Sequence, residues 1–209
     1  MPSILCDGRE LTLSPGDNLL DALLGAGFKV SSSCRAGACH ACLVQATRGA
    51  PPARAQQGLK DSQRHQGYFL ACQANLTEDL EVSLTCAREL DVAARVVAVE
   101  ALTANVVRVS LRLEQAFDYR AGQYLTLTRA DGLSRAYSIA SQPEAEGPCL
   151  ELHVRVFPDG QMSSWLAGGR AVGAGVTLRG PIGDCFYVPG NPAQPLLLAG
   201  TGTGLAPLW

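Results

Sequence analysis

Lysine is nearly missing from these 209 residues: Lys29 and Lys60 are the only two, and arginine supplies the rest of the 17 basic side chains. The arginines are scattered, so the bias reads as one of coding rather than as a binding patch. Charge of either sign is sparse, 17% of residues, and the formal balance is −2. A surface for nucleic acid or an anionic membrane needs a concentrated basic stripe, and this composition offers none. No apolar run approaches the roughly 18 residues of a spanning helix. The start, Met1-Pro2-Ser3-Ile4-Leu5-Cys6-Asp7-Gly8, lacks a basic stretch leading into an apolar core, so no secretion signal is read there. With 47% hydrophobic residues the chain falls in the ordinary folded class, long enough for one or two cores.

Cysteine, by contrast, is plentiful. Eight cysteines without an export signal point to a reducing compartment, read as the cytoplasm, and to thiols held by metal. Four form a pattern: Cys34, Cys39 and Cys42 are spaced C-x4-C-x2-C, and Cys72 stands alone further on. A [2Fe–2S] cluster needs four thiolates, two per iron, and this is the plant-type spacing for one. Structural zinc favours paired short spacings such as C-x2-C…C-x2-C, and a disulfide scaffold suits a short secreted chain. Ala36, Gly37, Ala38 and Ala41, interleaved with the ligands, let backbone N–H groups close on the sulfurs and help set the reduction potential. Cys6, Cys86, Cys149 and Cys185 show no ligand spacing and are expected as small core hydrophobes.

Up to about residue 90 the pattern mixes strands and helices. Two short strands flank the turn signal Asp7-Gly8, and Asp17 offers a cap to a helix carrying Leu19, Leu20, Leu23 and Leu24. Leu43–Ala46 reads as a strand leaving the cysteine loop, and Leu59–Tyr68 as room for a short polar helix. Phe69–Ala74 carries Cys72 back, and Leu80–Leu84 alternates as a strand. This order resembles the β-grasp of plant-type ferredoxins, an α+β fold whose cluster ligands match Cys34, Cys39, Cys42 and Cys72. His40 departs from the glycine that many relatives carry: it either hydrogen-bonds near the cluster or points to solvent, and with four thiolates already present solvent is favoured. His65 is expected on a polar face. A short linker is expected over Ala87–Ala93.

From Val92 the chain turns to β-rich runs: Val96–Val99, Val106–Leu113, Tyr124–Thr128, Leu150–Val156 and Val176–Arg179. Strands at such short intervals argue for a sandwich or a small barrel. Within them Arg135-Ala136-Tyr137-Ser138 resembles the R-x-Y-S signature of the ferredoxin–NADP reductase superfamily. A guanidinium suits a diphosphate because its fork meets two oxygens at once, and alternation puts Arg135 and Tyr137 on one face. Gly122-Gln123-Tyr124, then His153-Val154-Arg155-Val156 with Gly160-Gln161-Met162-Ser163, then Gly180–Phe186 are similar to further segments of that superfamily, in its order. The resemblance implies an all-β flavin-binding barrel. In it Arg135, Tyr137, Ser138, His153, Val154, Gly160, Met162 and Ser163 would hold the flavin, Met162 and Ser163 by donating to its pyrophosphate, and Ser138 would lie near flavin N5. FAD is what this subgroup takes; the residues leave FMN open. Trp165 and Tyr187 are expected to pack rather than to relay electrons.

Pro195–Ala199 has the composition of a buried parallel strand, and Gly200-Thr201-Gly202-Thr203-Gly204 follows directly. With Leu205-Ala206-Pro207 it is similar to the turn opening the nicotinamide domain of the same superfamily, with Gly200, Gly202 and Gly204 as nucleotide contacts. Only a first strand and turn of that α/β domain are expected, poorly ordered after about Pro192. The divisions are therefore 1–90 for the cluster, 92–193 for the flavin and 194–209 for the nucleotide stub.

Taken together, the resemblance is to the reductase component of multicomponent oxygenases. It implies an enzyme passing electrons from NAD(P)H through FAD to the cluster, and on to an oxygenase or hydroxylase component. The alternative is a flavin and iron–sulfur carrier that does not oxidise NAD(P)H efficiently. Neither nucleic acid nor a membrane is implied as a partner.

Overall fold

A computed structural model describes residues 1–84, 90–143, 149–183, 185–186, 193 and 195–208. Cys86, Tyr187, Pro192 and the linker expected from Ala87 lie at least partly outside the described residues. The chain divides into two compact units, Met1–Asp91 with Asp131–Ser134, and Val92–Ala130 with Arg135–Trp209.

The first unit opens on a hairpin of β1 (Ser3–Cys6) and β2 (Arg9–Thr12). Asp7 and Gly8 both take positive φ, 43° and 82°, the mirror-image turn whose twist matches that of paired strands. Helix α1 (Leu19–Gly25) buries Leu19, Leu20 and Leu23, the face its spacing foretells. Its cap is Asn18 rather than Asp17: Leu20 N donates to Asn18 Oδ1 at 3.1 Å. The Asp17 carboxylate is instead occupied by Ser14 N at 2.9 Å, closing the turn before the helix. The polar helix shrinks to α2 (Asp61–His65), with His65 exposed as expected.

Strands β3 (Leu43–Arg48), β4 (Tyr68–Leu70) and β5 (Leu80–Ser83) complete a five-stranded sheet in the order β2-β1-β5-β3-β4. Here β1 and β5 run parallel, and the other adjacent pairs for which a register is defined run antiparallel. Helix α1 packs on this sheet through a core that includes Ile4, Val44, Phe69 and Leu70, all fully buried. Each such side chain contributes about 2 kcal/mol by leaving water. This is a β-grasp.

The second unit is a six-stranded sheet in the order β10-β7-β6-β11-β8-β9. Its strands are β6 (Val92–Thr103), β7 (Val106–Leu113), β8 (Tyr124–Arg129), β9 (Ser134–Ser138), β10 (Cys149–Arg155) and β11 (Gly175–Ile182). The two outer strands are joined just past β9, where Ile139 bridges Leu152 and Ala140 N donates to Glu151 O at 2.8 Å. An antiparallel sheet whose edges meet is a barrel, and closure leaves no row of unpaired backbone groups at those edges. Leu125, Leu127, Leu150, Leu152 and Ile139 fill it. A short helix, α3 (Gln161–Ala167), follows β10.

Two expectations fail here. Pro195–Ala199 forms no strand, since a parallel strand exists only beside a partner and none of the described strands pairs with it. Leu196, Leu197 and Leu198 stand exposed, Leu197 to 89%, as expected of an apolar run with no sheet to join. The glycine turn after it winds into a 3-10 segment, Gly202–Leu208, lying against β10. Cys185 is exposed, not a core residue, and Cys149 is half-buried; only Cys6 of the described non-pattern cysteines is buried.

Candidate functional site

Residues 34–42 loop between α1 and β3 with three left-handed positions, Arg35 at φ 53°, Gly37 at 78° and His40 at 53°. Such φ values fold a loop tightly around its own centre and cost a non-glycine residue on the order of 1 kcal/mol or more. Gly37 is required on two counts, because a Cβ there would also meet Gln73 Cγ at 3.1 Å. His40 is not at the surface. It is buried to 8% exposure, contrary to the solvent-facing expectation, with its Nε2 3.9 Å from where a Cβ on Gly58 would sit, so the distant segment at Gly58 covers it.

The structure brings all four pattern cysteines together as two pairs. Cys34 and Cys39 hydrogen-bond through their side chains, and Cys39 N also donates to Cys34 Sγ at 3.3 Å. Cys42 and Cys72 form the second pair, and Ala71 N donating to Cys42 O at 3.0 Å locks their two segments together. Cys39 and Cys42 are buried, Cys72 is half-buried and Cys34 is exposed. Among the described residues no group of three or more His, Cys, Asp or Glu converges to hold a single metal ion. Two dithiol pairs are the donor set for two irons, each needing two thiolates, so the residues fit a [2Fe–2S] cluster.

Electrostatics point the same way. The Cys42 thiol bonded to Cys72 draws Cys72 down to about 6, against burial, with Gln73 helping. Cys42 is pushed up by that same bond and by burial. Burial opposes ionisation of Cys34, yet N–H groups of Ala36 and Cys39 hold it below the ordinary thiol value. Ala36 N lies 3.3 Å from Cys34 Sγ. Burial pushes the partner Cys39 up, so in each pair one thiol is held low and the other high, and each pair offers one sulfur readied as thiolate.

Gln73 and Asn18 escaped the sequence reading. Asn18 Nδ2 donates to Cys72 O at 3.0 Å while its Oδ1 caps α1, tying the fourth cysteine to the helix. An Asn before an apolar helical run was a usable cap signal; its reach to Cys72 was not.

In the barrel, Arg135 is exposed and Tyr137 half-buried on the same alternating strand β9, with Ser138 at its end. Burial pushes the Tyr137 phenol up to about 12, and the positive charge of Arg135 works against that rise. The other motifs meet this strand. Ile139 N donates to Gln123 O at 3.0 Å, and Gln123 Nε2 donates to Gly183 O at 2.9 Å. Gly122 is irreplaceable there: a Cβ would sit 1.7 Å from Cys185 O. Burial lowers the His153 imidazole, Glu151 opposing, and the neighbouring Val154 is fully buried. A guanidinium and an aromatic face side by side fit a flavin with its diphosphate.

Ser163 behaves differently from expectation. It is buried, accepts from Phe157 N at 3.1 Å and donates to Gly160 O at 3.3 Å, so its hydroxyl closes the turn before α3 rather than presenting a free donor. Met162 is buried as well. Trp165 lies under Arg129 of β8, 5.5 Å from ring to guanidinium, as a packing residue. Gly200, Gly202 and Gly204 are exposed.

Residues 4–77 match the 2Fe-2S iron-sulfur cluster binding domain, and residues 93–187 the oxidoreductase FAD-binding domain. The chain is 36% identical to an aromatic O-demethylase reductase subunit of Amycolatopsis sp., over 96% of this chain and 64% of that protein. It is 31% identical to the ferredoxin–NAD(P)(+) reductase component of a naphthalene 1,2-dioxygenase system of Pseudomonas putida, over 97% and 62% respectively. A crystal structure of an Amycolatopsis cytochrome P-450 reductase superposes with a TM-score of 0.57 at 35% identity, covering all of this chain and 66% of that one. The chain thus spans slightly under two thirds of the length of these relatives.

Proposed function

Because the chain belongs to the iron–sulfur flavoprotein reductases, joining a [2Fe–2S] domain to an FAD domain, we propose that it is the electron-delivering reductase component of an oxygenase system. The observation that carries this is the coexistence, in one chain, of two paired dithiols and a barrel strand bearing Arg135 and Tyr137. Bound FAD supplies the conversion of a two-electron hydride into single electrons, and the cluster their one-electron relay. Everything else is positioning by this chain's residues. Cys34 with Cys39, and Cys42 with Cys72, would each hold one iron. Arg135 would bind the diphosphate oxygens, Tyr137 would cover the ring system, and Ser138 would offer its hydroxyl to the redox-active part of the flavin. His153 and Val154 line the neighbouring strand. Gly160 gives the turn, where a Cβ would meet Ser163 Oγ at 2.3 Å; Met162 would bring its backbone N–H to the diphosphate, and Ser163 shapes the turn.

The donor is NAD(P)H, with Gly200, Gly202 and Gly204 on the nucleotide side. The acceptor is an oxygenase or hydroxylase component, the role carried in the names of relatives from O-demethylase and dioxygenase systems. The working division is 1–90, 92–193 and 194–209. Among the described residues no helix is long and apolar enough to cross a membrane, and the thiol cage suits the reducing cytoplasm.

Anaerobic stopped-flow mixing with NADH and with NADPH tests the reading. Flavin absorbance should bleach first and the cluster bands follow. Persistence of both spectra with either nucleotide would leave the carrier reading standing instead.

A further inference from the structure

We infer that the Gln73 carboxamide is a positioning residue of the cluster cage, setting the reduction potential of the cluster through a hydrogen bond to the Cys72 sulfur while it fixes the loop that carries the other ligands. This rests on the cluster assignment above.

The geometry is specific. Gln73 Nε2 lies 2.9 Å from Arg35 O, 3.3 Å from Cys72 O and 3.5 Å from Cys72 Sγ. A primary amide has two hydrogens, so one goes to Arg35 O and the other is shared between carbonyl and sulfur of Cys72. Arg35 sits in the left-handed turn between Cys34 and Gly37, 38 residues before Gln73 in sequence. One side chain therefore spans the three-cysteine loop and the lone fourth ligand. Its aliphatic stem rests where Gly37 has no Cβ, 3.1 Å from the position such an atom would take. The donor is held from both sides, by packing and by the Arg35 carbonyl, so its aim at the sulfur is set before any metal arrives.

An N–H aimed at a ligand sulfur stabilises added negative charge, and reduction adds one electron to the cluster. The bond therefore favours the reduced state and raises the potential. Replacing the donor must lower it. Q73L removes both hydrogen bonds but keeps an apolar stem of similar size. Q73E keeps the shape, cannot donate when ionised, and places a negative charge beside the sulfur.

The test is a dithionite redox titration of the purified holoprotein, followed by electron paramagnetic resonance of the reduced cluster, without nucleotide. Iron and sulfide content is measured alongside. The expected order of potentials is wild type above Q73L above Q73E, with Q73L shifted on the order of tenfold in the redox equilibrium, 59 mV for a one-electron couple. A Q73L protein with full cluster content and an unchanged potential would overturn the inference, leaving Gln73 a packing residue. If Q73L does not retain its cluster, Gln73→Met, which keeps an unbranched stem without a donor and adds no charge, decides in its place: an unshifted potential there is equally fatal. Because no NAD(P)H is used, a failure here is distinct from a failure of the proposed reductase activity.

Discussion

At the scale of single residues, burial separates cysteines that composition cannot. Cys6 is fully buried, and burial, with the Asp7 carboxylate beside it, pushes its thiol up to about 11. At pH 8 its thiolate fraction is then about one in a thousand. Cys185 is exposed. Iodoacetamide at pH 8 should therefore modify Cys185 well before Cys6, as read by peptide mass mapping; equal labelling would place Cys6 outside the core. Tyr137 gives the pH counterpart. Its folded value of about 12 exceeds the ordinary 10, so the native state holds the phenol proton more tightly than the unfolded chain. The resulting stability is fully present below pH 10 and lost as pH rises from 10 to 12. Urea midpoints of the flavin-free protein should be flat up to about pH 9 on this account and fall above 10. The Tyr137→Phe variant should fall less.

At the scale of elements, Asn18 does two jobs from one position, capping α1 and holding the Cys72 carbonyl. Asn18→Ala should cost about 1 kcal/mol through the cap alone. It should also speed iron loss to a chelator, which a purely helical role would not do; urea unfolding and bleaching with a ferrous chelator measure the two effects separately. Elements were also where the sequence was most readable. The Asp7-Gly8 turn, the Leu19–Leu23 face and the Val106–Leu113 strand follow from local chemistry, with turn residues, helical spacing and β-branched alternation all agreeing. What escaped depended on distant partners. Asn18 and Asp17 are equally good caps until Ser14 N takes one of them. Likewise His40 looks polar and solvent-facing until the distant Gly58 segment lies over it. The cysteine spacing announced a cluster cage, but Gln73, one residue beyond a ligand, carried no signal because its role lies across 38 residues.

At the scale of the whole molecule, the division into two compact units predicts that each cofactor can be lost without the other. Cys72→Ser should abolish or destabilise the cluster and leave FAD bound, seen as flavin absorbance without the iron–sulfur bands. Arg135→Ala should do the reverse, weakening FAD by roughly tenfold to a hundredfold, the worth of charge-assisted hydrogen bonds, with iron content unchanged. Loss of flavin from the Cys72→Ser protein would contradict the independence of the two units.

The barrel's closure carries one more implication. Its last stitch, Ile139 to Leu152, lies one residue beyond Ser138, and the same strand carries Arg135 and Tyr137. A ligand gripped along that strand therefore also clasps the wall in which it sits, stiffening the place where the cylinder would otherwise part first. Amide hydrogens of Ile139 and Ala140 should accordingly exchange slowly once FAD is loaded and much faster without it, which makes the seam a gauge of cofactor occupancy.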